Sequence, residues 1–235
     1  MMATPSVVNT SVFPDEEFIS VAKQVNNPDF TGYEFYIETM GVKFYRKYRQ
    51  SSGLYEYKVH GVMDLDPIIC GNVYVDWEYR KQWDKYVMEL YPIKDEQSNK
   101  EGLYWKVDFP FPMSDRDYTF IRDMKVVQLD GAITPVVIAR SEPFASYPEN
   151  SDVIRVDDYC QECAMQSDGK SGAKAYMHYY DNPKGMIPTW LINWGAKYGV
   201  PQFLQTMQDA CKNYPQYVND QGRTLIPSPE PAIIA

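Results

Sequence analysis

At 235 residues the chain has room for one large domain or two small ones, and 44% hydrophobic content suits a protein that buries a sizeable core. A formal net charge of −9 argues against nucleic acid, whose phosphates need a basic stripe, and against bulk attraction to anionic membranes. Four scattered cysteines do not make a disulfide scaffold, no apolar run approaches the ~20 residues that span a bilayer, and the N-terminus lacks a secretory pattern, so a reduced, cytoplasmic protein is expected.

Residues 1–13 are small and polar and read as a disordered tail. PDEEFISVAKQV opens on proline and acids, and Phe18, Val21, Ala22 and Val25 then recur at helical spacing, which predicts an amphipathic helix. Three strand-like runs follow, YEFYIET, VKFYRKY and LYEYKVHGVM, separated by MG and SSG turns. The stretch 66–90 changes period and predicts two short helices, the second carrying a stripe of Tyr79, Trp83, Tyr86 and Val87. From there to residue 182 the pattern is strands and turns. LYWKVDF alternates, placing Leu103, Trp105, Val107 and Phe109 on one face. RDYTFIRDMKVVQ and AITPVVIARSE predict one hairpin, VIRVDDYCQECAMQ and AKAYMHYYD another. A final helix is expected from about Pro188 through Asn213, bent at Pro201, followed by a proline-rich disordered tail over 215–235. The order predicts an α+β domain over 14–214, an antiparallel sheet with helices on one side.

Four residues stand out for chemistry: Arg80 in YRKQWD, Trp105 in LYWKVDFP, Tyr118 in SDRDYTF and Tyr159 in RVDDYC. Three ring faces can box a quaternary ammonium, which has no N–H to donate, and a guanidinium can fork two hydrogen bonds onto a phosphate. Together they would read a phosphocholine group. With 20 Tyr, 10 Phe and 5 Trp in the chain, the rings also fit ordinary core positions. Arg80 and Asp84, four apart on a helix, also fit a surface ion pair worth under about 1 kcal/mol. Cys160 and Cys163 form a C-x-x-C, but on a strand they point to opposite faces and cannot share a metal. His60 and His178 lie in no nucleophile or metal motif, and G-x-S-x-G, H-E-x-x-H and P-loop patterns are missing, so neither an enzyme nor a metal or cofactor is expected.

GLYEYKVHGVM, YRKQWDKYVMELY, FPFPMSDRDYTFIR, VIRVDDY, SDGKSGAKAYM and IPTWLINWGAKYGVPQFL together resemble the START lipid-transfer family over about residues 14–214. The resemblance implies a helix-grip fold, a curved antiparallel sheet of about nine strands wrapped around a long C-terminal helix and enclosing a hydrophobic tunnel. It implies Arg80 on the phosphate and Trp105, Tyr118 and Tyr159 as a choline cage, with Gln161, Asp84 and Val107 as further contacts. The bound phosphatidylcholine would be cargo in a monomeric carrier. Trp190, Leu191 and Trp194, with Ile187, Phe203, Leu204 and Met207, give the final helix an apolar side that would serve as lid and transient membrane contact. Two roles stay open: a carrier between membranes, or a lipid sensor recruiting a protein partner such as an acyl-CoA thioesterase.

Overall fold

The computed structural model describes residues 11–185, 187–188, 198–224 and 233–235. Helix α1 (Asp15–Lys23) begins after Pro14, with Asp15, Glu16 and Glu17 in its first turn, where acids suit the helix dipole. Strands β1 (Glu34–Thr39), β2 (Val42–Arg49) and β3 (Leu54–Met63) follow as a meander. The tight β1–β2 turn places Met40 and Gly41 at φ 51° and 78°, which the glycine accepts without a Cβ clash. Helix α2 (Pro67–Val75) is N-capped by Asp66, and α3 (Trp77–Trp83) by Asp76. Strands β4 (Val87–Lys94), β5 (Glu101–Val107), β6 (Arg116–Leu129), β7 (Ala132–Ser141), β8 (Ile154–Val156), β9 (Tyr159–Ser167) and β10 (Ala173–Asp181) lead to helix α4 (Val200–Asp220) and a short β11 (Ile233–Ile234).

Nine strands form one antiparallel path in the order β1-β2-β3-β10-β9-β7-β6-β5-β4, and β8 and β11 each add a parallel pairing to β6. Successive residues of a strand alternate faces, so register fixes which side chains share a side. On the inner face, Met63, Val137, Cys163 and Met165 pack against Tyr74 of α2 and Leu204, Met207 and Cys211 of α4. On the outer face, Val136, Ile138, Ala164 and Tyr176 pack against Phe18, Val21 and Ala22 of α1. Among the described residues, no helix is long and apolar enough to cross a membrane.

Several expectations need correction. The helices do not share one side: α1 lies on the outer face and α2 to α4 on the inner, a division that element order alone does not set. The second short helix stops at Trp83, where Asp84 leaves helical geometry at φ −90°, ψ 98°. The next strand, β4, starts at Val87 and tolerates Pro92 because it forms the sheet's edge. VIRVDDY is split, β8 pairing with β6 and β9 with β7 and β10. Helix α4 runs past the expected end at Asn213 to Asp220, with Pro215 inside it; residues 189–197 of the expected helix lie outside the described residues. Phe13 is buried against Phe18, and Ile233 is buried beside Val127, so parts of both expected tails pack on the domain.

Candidate functional site

The side chain of Asp76 accepts from the Tyr79 backbone N–H at 2.9 Å and so starts α3. The same carboxylate accepts from the Tyr214 hydroxyl at 2.8 Å and pairs with Arg223, joining α3 to α4. One turn further on, Arg80 is buried on the inner side. Its Nε and one terminal nitrogen each lie 3.0 Å from Asp84 Oδ2, and Asp84 Oδ1 accepts from the Tyr86 N–H at 3.1 Å. Of the two readings of this pair, the buried one holds: the side chains are 11% and 3% exposed. The guanidinium lies 5.0 Å from the ring centre of Trp105, 5.7 Å from Trp83 and 6.0 Å from Phe203.

Trp105 on β5 is the direct cross-strand partner of Tyr118 on β6, so both rings take the same face. Their centroids are 4.9 Å apart and the planes 28° from parallel. Tyr159, at the start of β9, meets Tyr118 edge-to-face at 5.5 Å. The Tyr159 hydroxyl donates to Gln161 Oε1 at 2.9 Å, and Gln161 Nε2 donates to the Tyr74 hydroxyl. Arg80, Asp84, Trp105, Tyr118, Tyr159 and Gln161, distant in sequence, are therefore gathered at one end of the inner face. Val107 lies two residues beyond Trp105 and packs against the same ring cluster. Leu204 and Met207 are buried against the sheet, and the Phe203 ring packs on Trp83 at 5.8 Å. Trp190, Leu191 and Trp194 lie outside the described residues.

Sequence reasoning missed Arg122. It lies on β6 four residues past Tyr118, hence on the same face, and donates to the carbonyls of Tyr74 and Val75 at the end of α2. Burial, followed by the charge of Arg80, pushes its pKa down to about 10. Asp181 was also missed; its Oδ2 accepts from the Tyr118 hydroxyl at 2.8 Å. Among the described residues, the buried indole N–H groups of Trp83 and Trp105 have no acceptor. Two cations with one carboxylate, and two unsatisfied donors beside them, make a place suited to an anion.

Register extends the pattern across the sheet. Arg122, Ala139, Gln161, Tyr179, Tyr57 and Arg46 are successive cross-strand partners over six strands. Two residues along each strand the corresponding row is Met124, Val137, Cys163, Met177, Val59 and Phe44, without a charge. The inner face is thus polar and aromatic at one end and apolar at the other. A cavity of about 50 Å³ lies at the apolar end, between Val59, Met165, Ala175 and Met177 of the sheet and Leu204 and Met207 of α4.

An open antiparallel sheet closed by helices over a face of graded polarity defines a fold for holding an amphiphile. The START domain family model matches residues 35–217, and the chain belongs to that family. It is 46% identical over 205 residues to the phosphatidylcholine transfer protein of Bos taurus, covering 86% of this chain and 95% of the relative. For the phosphatidylcholine transfer protein of Homo sapiens the identity is 45% over 205 residues, with the same two coverages, 86% and 95%. Among solved structures, human STARD10 aligns with a TM-score of 0.73 over 89% of this chain and 84% of that one, at 22% identity, which supports the fold alone.

Proposed function

We propose that this protein binds one phosphatidylcholine between sheet and α4 and transfers it between membranes. The observation that carries the reading is the graded inner face, with Arg80 and the three rings at its polar end and only uncharged side chains in the row beyond Arg122. Likeness to the two phosphatidylcholine transfer proteins supports the choice of lipid.

Two acyl chains of about 32 methylenes lose on the order of 25 kcal/mol in water, at roughly 0.8 kcal/mol each, so a carrier must offer them a surface nearly as apolar as the bilayer. Headgroup contacts of a few kcal/mol then select among lipids. Arg80 would hold the phosphate, with Arg122 adding positive potential behind it and the two indole N–H groups offering donors. Trp105, Tyr118 and Tyr159 would hold the trimethylammonium by their faces. A primary ammonium in the same box would leave N–H donors unpaired, which disfavours phosphatidylethanolamine.

The cavity of about 50 Å³ is far smaller than two acyl chains. Loading therefore requires α4 to move off the sheet. Trp105 would also swing from Tyr118, since stacked rings with centroids 4.9 Å apart leave no gap for a cation. The apolar side of α4 would meet the bilayer while it is displaced.

The test is lipid extraction. The protein is incubated with vesicles of equal phosphatidylcholine, phosphatidylethanolamine and ceramide, re-isolated, and its lipid identified by mass spectrometry. One phosphatidylcholine per chain is expected, with uptake lost in Trp105→Ala. Another lipid, or none from folded protein, rejects the assignment.

A further inference from the structure

A zwitterion carries two charges, and the residues described so far address its ammonium only through neutral rings. Arg80 and Arg122 bring two positive charges to this end of the inner face, and Asp84 is engaged with Arg80. A quaternary ammonium beside Trp105 would therefore sit in an unfavourable field unless another negative group faces it.

Asp181 is placed to be that group. It ends β10 as the direct cross-strand partner of Tyr159, and so takes the inner face with it. Its carboxylate accepts from the Tyr118 hydroxyl at 2.8 Å. Two rings of the cage are thus tied to one carboxylate, by hydrogen bond and by strand pairing. The residue keeps some surface of its own, while protein atoms crowd its carboxyl group enough for burial to raise its pKa above the usual range. The facing cation is Arg116, whose three donating nitrogens are directed to the carbonyls of Ser114, Pro183 and Lys184. Among the described residues, Asp181 makes no ion pair within 4.0 Å. A phenol that donates to a carboxylate also has a more electron-rich ring, which strengthens its hold on a cation.

We propose that Asp181 supplies the negative charge that balances the bound ammonium, making it a specificity-determining residue for cationic headgroups. The inference rests on the phosphatidylcholine reading above. Arg80 and Arg122 on one side and Asp181 on the other form a field from positive to negative that matches the headgroup's phosphate-to-ammonium direction. An anionic headgroup without a cation meets repulsion at Asp181, so the site is selected against it as well as for choline.

The test uses the full chain and two lipids of equal shape: phosphatidylcholine, and its neutral isostere in which a tert-butyl carbon replaces the trimethylammonium nitrogen. In Asp181→Asn, which keeps an acceptor for Tyr118, affinity for phosphatidylcholine is expected to fall about tenfold, the order given by one charge pair at several ångströms in a partly buried site. Affinity for the isostere is expected to stay within twofold. An equal fall for both lipids would mean a structural role and overturn the proposal, as would no change for either. Tyr118→Phe, which removes the hydrogen bond and keeps the ring and the charge, is the second variant. It is expected to retain most of the preference for phosphatidylcholine over the isostere; loss of that preference would show that Asp181 acts only by holding Tyr118. Failure of the wild-type protein to take up phosphatidylcholine would instead remove the reading on which the inference stands.

Discussion

Replacing Arg80 separates its part in folding from its part in binding. In Arg80→Ala the Asp84 carboxylate, 3% exposed, keeps the Tyr86 N–H and loses its cation. Charges about 4 Å apart attract by about 4 kcal/mol at an effective dielectric near 20, and breaking buried pairs costs about 3–5 kcal/mol. At roughly 2–4 °C per kcal/mol for a domain of this size, the melting temperature should fall by about 10 °C. In the double variant with Asp84→Ala no charge is stranded, and most of that loss should be recovered. Denaturant unfolding of the four proteins in the cycle gives the coupling energy directly. Lipid uptake is then measured on the double variant, whose stability is near wild type. Binding of phosphatidylcholine should remain at least tenfold weaker there if Arg80 holds the phosphate, as proposed. A double variant that is stable and binds like wild type would show that Arg80 serves only to neutralise Asp84.

Three further outcomes are expected. Gly61→Ala should destabilise the protein by about 1–3 kcal/mol or more by thermal unfolding, because a Cβ there would lie 2.3 Å from the Gly41 carbonyl oxygen and 2.7 Å from the Val42 Cα. Unchanged stability would mean that the β1–β2 turn, which lies against Gly61, yields without cost. Asp76→Ala should cost about 3 kcal/mol in denaturant unfolding, the sum of a helix cap and a charged hydrogen bond, whereas Tyr214→Phe should cost only about 1 kcal/mol; equal losses would count against the shared carboxylate. Ala175→Phe, at the cavity wall, should reduce uptake of long-chain phosphatidylcholine more than that of short-chain lipid, read by competition between the two. Equal reduction would place the acyl chains elsewhere.

Much of this was legible in the sequence because the signals are local. Met40-Gly41 and Asp130-Gly131 mark turns whose positive φ values the chain adopts, and alternation in LYWKV puts Trp105 inward. The failures came where two signals overlap or where register decides. Tyr79, Trp83, Tyr86 and Val87 fit a helical stripe, yet Asp84 takes the Tyr86 N–H on its side chain and turns the chain into β4. Arg122 and Asp181 look like solvated charges in RDMK and YYDN. Their inward direction follows from pairing with Ala139 and Tyr159, on strands whose alignment no short motif contains.

The carboxylate of Asp76 anchors the start of the helix that presents Arg80 and, through Tyr214 and Arg223, the helix that closes the apolar end. On the proposed reading, the position of α4 and the hold on a headgroup would for that reason be mechanically linked. A cargo whose tails pressed α4 outward would pull on the first turn of α3, one turn from the guanidinium. Tail length and saturation would then be transmitted to phosphate affinity, and lipids with identical headgroups would leave the protein at different rates.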